Sequence, residues 1–209
     1  MNSRASAINA AGTVVGVHFL GWLFFGDTAA VMWRDGVETR LADLGGGSSS
    51  ADDINDSGLI VGDARRPDGS STPVVWRDGA IEILDAPVGV SPAATAINNF
   101  GQIVGSSWSA LDEQRAVLWD NGQFYFLDEL LDPEVLAEGW TLSMAWDIND
   151  RGWIVGYGYN RLTLEKRGFL LRAQSNQEVP EPAMTLLTLA ALAACAGVRR
   201  RSGRPNRLS

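Results

Sequence analysis

The stretch DINDSG at residues 53–58 carries side chains suited to binding a hard cation. Asp53, Asn55 and Ser57 occupy the first, third and fifth positions of a calcium loop, with Gly58 at the sixth. The twelfth position, which should be a bidentate glutamate, is Ala64. A related stretch has Arg151 at the fifth position and two others have alanine at the first, so a hairpin turn accounts for these residues better than a metal does. The single histidine, His18, has no second His or Cys at a ligand spacing, and no G-x-S-x-G nucleophile motif accompanies it. A carboxylate pair for glycoside hydrolysis can be drawn from the 25 acids, but nothing singles one out. No catalytic residue, metal ligand or cofactor is assigned. The protein is expected to be non-catalytic, with a secreted glycan-acting enzyme as the alternative.

The other chemistry in the chain is done to it rather than by it. Val179, Pro180, Glu181 and Pro182 form a short peptide whose prolines fit neither a strand nor a helix interior, so it should be extended and accessible. An apolar run of 16 residues, 183–198, follows at once. As a helix it would be roughly 24 Å long, slightly short of a hydrocarbon core of about 30 Å, and flanking arginines can snorkel to make up the difference. Arg199, Arg200 and Arg201 close it as a basic stop. They should remain cytoplasmic, with the rest of the chain outside. Cys195, the only cysteine, rules out an internal disulfide and reads as a small residue of the span.

The elements upstream are set by repetition. DINDSGLIVG (residues 53–62) recurs as AINAAGTVVG (7–16), AINNFGQIVG (96–105) and DINDRGWIVG (147–156). Asn9, Asn55, Asn98 and Asn149 stand at intervals of 46, 43 and 51, each seven positions before Gly16, Gly62, Gly105 and Gly156. A second motif follows in each period, AVMWRDG (30–36), PVVWRDG (73–79) and AVLWDNG (116–122), with GFLLRA (168–173) as a degenerate fourth. Endings LADLG, IEILD and FYFLD complete the first three. Periods of this length signal an array fold.

Two turn chemistries divide each period into four short strands. Asn-x-x-Gly serves the first hairpin, with glycine supplying positive φ, and Asp-Gly or Asn-Gly serves the last. Runs such as VVW and AVLW are apolar on successive residues, as in strands covered on both faces. Trp33, Trp76 and Trp119 then become equivalent residues packed between units. The expected fold is all-β: tandem four-stranded antiparallel repeats in a partial β-propeller-like array, plus one C-terminal transmembrane helix.

The expected organisation is repeat 1 at 5–45, repeat 2 at 51–86, repeat 3 at 94–128, a connecting insert at 129–143, an incomplete repeat 4 at 144–173, a linker at 174–178 and a Pro-bounded motif with its membrane segment at 179–209. Residues 132–138 of the insert suit a turn of helix. Repeat 1 holds VHFLGWLFFG (17–26), where Phe19, Leu20, Trp22, Phe24 and Phe25 suggest an elongated hairpin packing its own apolar side chains; an exposed contact patch is the other reading.

Composition is that of a folded domain, 45% hydrophobic and 20% charged. The net charge of −8 argues against nucleic acid as a partner. The charge is also polarised: residues 1–178 hold 12 basic against 24 acidic residues, and the remaining bases lie in the C-terminal tail.

The repeat motifs resemble the HAF-type extracellular repeats of bacteria over nearly all of residues 5–173. That resemblance implies an exported repeat protein with no assigned reaction. VPEPAMTLLTLAALAACAGVRRR (179–201) resembles the PEP-CTERM sorting signal of Gram-negative bacteria. This second resemblance implies processing by an exosortase-type membrane peptidase, passage through the inner membrane, and delivery to the cell envelope or the extracellular polysaccharide matrix, with polysaccharide or surface proteins as partners. The chain enters its first repeat within a few residues of Met1 with no export signal before it, so a truncated or misassigned start, and association through open ends, are expected.

Overall fold

The computed structural model describes residues 2–21, 27–109, 113–173 and 189–191. It is all-β, with four antiparallel four-stranded sheets, each a meander in chain order. The first sheet contains β1 (Asn2–Ile8), β2 (Val14–Phe19), β3 (Thr28–Arg34) and β4 (Val37–Arg40). The second contains β5 (Ser49–Ile54), β6 (Ile60–Arg65), β7 (Ser71–Arg77) and β8 (Ala80–Ile83). The third contains β9 (Val90–Ile97), β10 (Ile103–Ser109), β11 (Gln114–Asp120) and β12 (Gln123–Phe126). The fourth contains β13 (Trp140–Ile148), β14 (Ile154–Asn160), β15 (Lys166–Ala173) and β16 (Leu189–Ala191).

Turn chemistry sets this regularity. Asp35-Gly36, Asp78-Gly79 and Asn121-Gly122 have positive φ at both positions, between 50° and 82°, as a two-residue hairpin requires. Gly12, Gly58, Gly101 and Gly152 have positive φ in the first hairpins.

Successive sheets pack face to face. Val15, Ala30 and Leu41 of the first unit meet Ala51, Ile54, Val74 and Trp76 of the second in one buried cluster. Val61 and Val75 meet Ala94, Ile97, Val117 and Trp119 in the next. Val104 and Leu118 meet Leu142, Ile148, Ile154 and Leu171 in the last. Val74, Val75 and Trp76 are thus buried on consecutive positions because alternate side chains enter different clusters. Within the described residues the four sheets close into neither a barrel nor a propeller.

Several boundaries differ from expectation. Each first strand starts before its motif, at Asn2, Ser49, Val90 and Trp140, because the second strand of each sheet runs on past its Val-Gly and needs a partner. Residues 140–143 therefore belong to β13 rather than to the connecting insert. A 3-10 helix (Leu127–Leu130) runs from the end of repeat 3 into the insert, α1 (Pro133–Ala137) follows, and Leu127 and Leu131 anchor this stretch in the last cluster. The fourth unit, expected to lack its last strand, has β16 on the outer edge of β15, where the unpaired backbone of an edge strand accepts a partner. Three residues of the expected transmembrane helix are thus extended strand, and no helix among the described residues is long and apolar enough to cross a membrane. The rest of that segment lies outside the described residues.

Candidate functional site: the turn ladder and a buried acid pair

The four repeat asparagines converge at one end of the array. The Oδ1 of each accepts the backbone N–H four residues on: Thr13 at 3.0 Å, Leu59 at 3.0 Å, Gln102 at 3.0 Å and Trp153 at 3.1 Å. Oδ1 therefore caps the turn. Nδ2 reaches across to the next sheet. Asn9 donates to the Asn55 carbonyl, Asn55 to that of Asn98 and Asn98 to that of Asn149, each at 3.1 Å. Asn9, Asn55 and Asn98 are buried, so these bonds run where water cannot replace them.

The following residue makes a second ladder. The Ala10 N–H donates to Asp56 Oδ1 at 2.8 Å, the Asp56 N–H to Asn99 Oδ1 at 2.8 Å and the Asn99 N–H to Asp150 Oδ1 at 2.9 Å. Asn99 Nδ2 also donates to Asp56 at 3.0 Å and to Asp150 at 2.9 Å, so an amide separates the two carboxylates. Asp53 adds a third link, with Oδ1 accepting the Ile54 N–H at 2.8 Å and Oδ2 the Ile97 N–H of the next sheet at 2.8 Å. The side chains once compared with a calcium loop are thus committed to protein partners, and Ser57 donates to Asn55 Oδ1 at 2.7 Å.

The repeat glycines answer to a different constraint. Register slips by one residue at the same place in every first strand, leaving Ser6, Asp52, Thr95 and Trp146 as bulged residues, and slips a second time in β13, at Ser143. Opposite each shared bulge, a Cβ on Gly16, Gly62, Gly105 or Gly156 would run into the carbonyl oxygen of Arg4, Ser50, Ala93 or Met144. Only glycine fits. In the second sheet Asp52, at the bulge, is near enough to Asp63 for its charge to act on that carboxyl. Burial raises the Asp63 carboxyl to about 7, with the Asp52 charge adding to it, and burial raises Asp52 as well. Asp63 Oδ1 is shut off from solvent without a hydrogen-bond partner, and Ser50 Oγ donates to Asp52 at 3.3 Å. A protonated acid beside an ionisable one can in principle exchange a proton with a ligand.

Between the second and third sheets a groove of about 480 Å³ opens toward the ladder. Arg77, Glu82, Asn99, Phe100, Trp119 and Asn121 line it, and Phe100 is 74% exposed. Amides, a carboxylate, a guanidinium and aromatic rings together suit a hydroxyl-rich ligand.

The tryptophans are not equivalent. Trp76 and Trp119 are buried, and their indole N–H groups donate across the joint to the carbonyls of Ala42 at 2.7 Å and Asp85 at 2.8 Å. Trp33 is half-buried and donates to Glu38 at 2.9 Å, and among the described residues no sheet packs on that side of it. His18 also contacts Glu38, at 2.9 Å. Of the apolar hairpin, Phe19 ends β2 and Leu20 is exposed, while Trp22, Phe24 and Phe25 lie outside the described residues. So do Val179, Pro180, Glu181, Pro182, Arg199, Arg200 and Arg201.

Sequence reasoning missed the ladder and the acid pair. The ladder had a signal, since a turn alone tolerates Asp, Ser or Gly where only Asn occurs. The acid pair had none, because no motif says which residues of β5 and β6 stand on one face of the sheet. Comparison with family models, curated proteins and solved structures gives no match.

Proposed function

We propose that the chain is an exported, non-catalytic β-repeat protein of the HAF type, its sheets arranged like blades of an unclosed propeller. In this reading the PEP-CTERM route sorts it to the cell envelope or polysaccharide matrix. The observation that carries the reading is the order of Val179-Pro180-Glu181-Pro182, the apolar run 183–198 and the arginine triplet Arg199, Arg200 and Arg201. The apolar run spans the inner membrane as a helix before processing, with the repeats outside and the arginines cytoplasmic. Insertion withdraws β16 from β15. An exosortase-type peptidase then cuts near the Pro-bounded motif. The groove beside Phe100 and Asn121 supports a role in holding polysaccharide, through the Asn121 amide and an aromatic face.

Intact mass measurement of the exported protein, in a host with an exosortase and with an export signal supplied, should show loss of the chain from about Ala183 onward. Retention of the arginine tail, or unchanged processing after Pro180→Ala with Glu181→Ala, would reduce the segment to a plain anchor. The alternative of a secreted glycan-acting enzyme draws on the Asp52–Asp63 pair. Reducing-sugar release from the host's exopolysaccharide, abolished by Asp63→Asn, would favour it.

A further inference from the structure

The three internal joints follow one rule, and the two outer faces are its unmatched halves. At each joint an isoleucine of the following sheet shares a cluster with a valine of the preceding one: Ile54 with Val15, Ile97 with Val61 and Ile148 with Val104. All six are at most 6% exposed. The remaining members of the two series are Ile8, 66% exposed on the first sheet, and Val155, 39% exposed on the fourth.

Polar groups repeat the pattern. Asn149 caps its own turn, but it is exposed and its Nδ2 has no acceptor among the described residues. Asp147 accepts the Ile148 N–H with Oδ1, as Asp53 does for Ile54, while its Oδ2 lacks the counterpart of the Ile97 N–H. The fourth sheet therefore presents an apolar seat, an amide donor and a carboxylate acceptor. The first sheet presents an isoleucine, the Asn9 carbonyl and the Ile8 N–H in matching order.

We infer that the fourth sheet of one chain receives the first sheet of a second copy, head to tail, in the register of the internal joints. The occupant is a second copy rather than the chain's own first sheet, because Ile8 and Val155 are both exposed within one chain. An unrelated partner would have to reproduce three features that this chain already carries. The contact is heterologous, so it builds rings or open filaments according to whether its rotation closes. Two chains in a ring would bring eight sheets together, a number that propellers reach. The joint lacks one rung: Ala10 has no side chain to accept the Asp150 N–H, where Asn99 and Asp56 each accept one at the internal joints.

The test uses the full chain with Cys195→Ser throughout, carrying Ile8→Cys or Val155→Cys, and a short bifunctional thiol cross-linker. Both positions are exposed, and circular dichroism melts check that each variant folds. An equimolar mixture of the two variants should give several-fold more cross-linked dimer than either alone, since the inferred joint sets Ile8 against Val155 and neither against itself. Adding Ala10→Asn to the Ile8→Cys chain should raise that yield several-fold by supplying the missing rung. No dimer in the mixture overturns the inference, as does equal dimer from one variant alone, which means symmetric or tail-driven association. Cross-linking within a single chain carrying both cysteines, without dimer, means that the first sheet closes on its own fourth and also overturns it. An Ala10→Asn chain that gains nothing overturns the ladder register on which the inference stands.

Discussion

An asparagine that only capped its turn could be exchanged for aspartate, which keeps the acceptor oxygen. At position 55 that exchange removes the Nδ2 donor to the Asn98 carbonyl and sets a buried anion against it. Asn55→Asp should therefore destabilise by about 2 kcal/mol or more, and Asn55→Ala by a comparable amount, because each leaves buried groups unpaired. The matching change Asn149→Asp, at a position exposed in the separate chain, should cost less than about 1 kcal/mol in dilute solution. Urea melts of the pair separate the ladder from the cap, and equal losses at both positions would leave only the cap. Gly62 offers a second contrast at this scale. Its Cβ would clash with the Ser50 backbone, whereas Gly58, at φ +85°, has open space. Gly62→Ala should cost about 3 kcal/mol or more through overpacking against a carbonyl, and Gly58→Ala only about 1 kcal/mol through backbone strain.

Within an element, the buried carboxyls of β5 and β6 make stability depend on pH. Asp63 is raised from 3.8 to about 7 by burial first and by the Asp52 charge second. Between those values the folded state holds a proton that the unfolded chain has released. The contribution to stability is therefore fully present below about pH 4 and declines as pH rises toward 7, by up to about 4 kcal/mol. Asp52 and Asp53, raised in the same direction by burial, add to the trend. Asp63→Asn should stabilise the protein at pH 7 to 8 and flatten its melting temperature across pH 4 to 7; a parallel curve would remove Asp63 as the cause. The elements themselves were legible in the sequence because hairpin chemistry is local, and Asp78-Gly79 reports its own φ values. The bulges were not. They depend on which carbonyl faces Gly62, a relation between strands that no motif encodes; the early starts of β5 and β13 and the Asp52–Asp63 pair, which rest on cross-strand register too, stayed hidden with them. Trp76 was readable as core from its equivalence to Trp119, yet the same equivalence misjudged Trp33, whose burial depends on a neighbouring sheet rather than on its own motif.

Among the described residues each core cluster joins a sheet only to its neighbour, so stability is a sum of sheets and joints. Trp76 lies at the joint of the first and second sheets and donates to the Ala42 carbonyl, while among the described residues no sheet covers Trp33. Trp76→Ala should cost roughly 3 to 5 kcal/mol and Trp33→Ala clearly less. The same logic orders the opening of the array. The second and third sheets are covered on both faces, whereas β1 has one half-buried residue and no buried one. Amide exchange should thus be slowest in β6, β7, β10 and β11 and fastest in β1, since strands with few buried contacts open at the least cost. If chains join head to tail, dilution changes this profile selectively. Protection in β1 and β14 should fall as protein concentration falls, while β6 and β10, whose partners lie in the same chain, keep theirs. Exchange followed by mass spectrometry at two widely separated concentrations decides between the cases. Concentration-independent protection in β1 would mean that the exposed face of the first sheet, Ile8 included, meets no second chain.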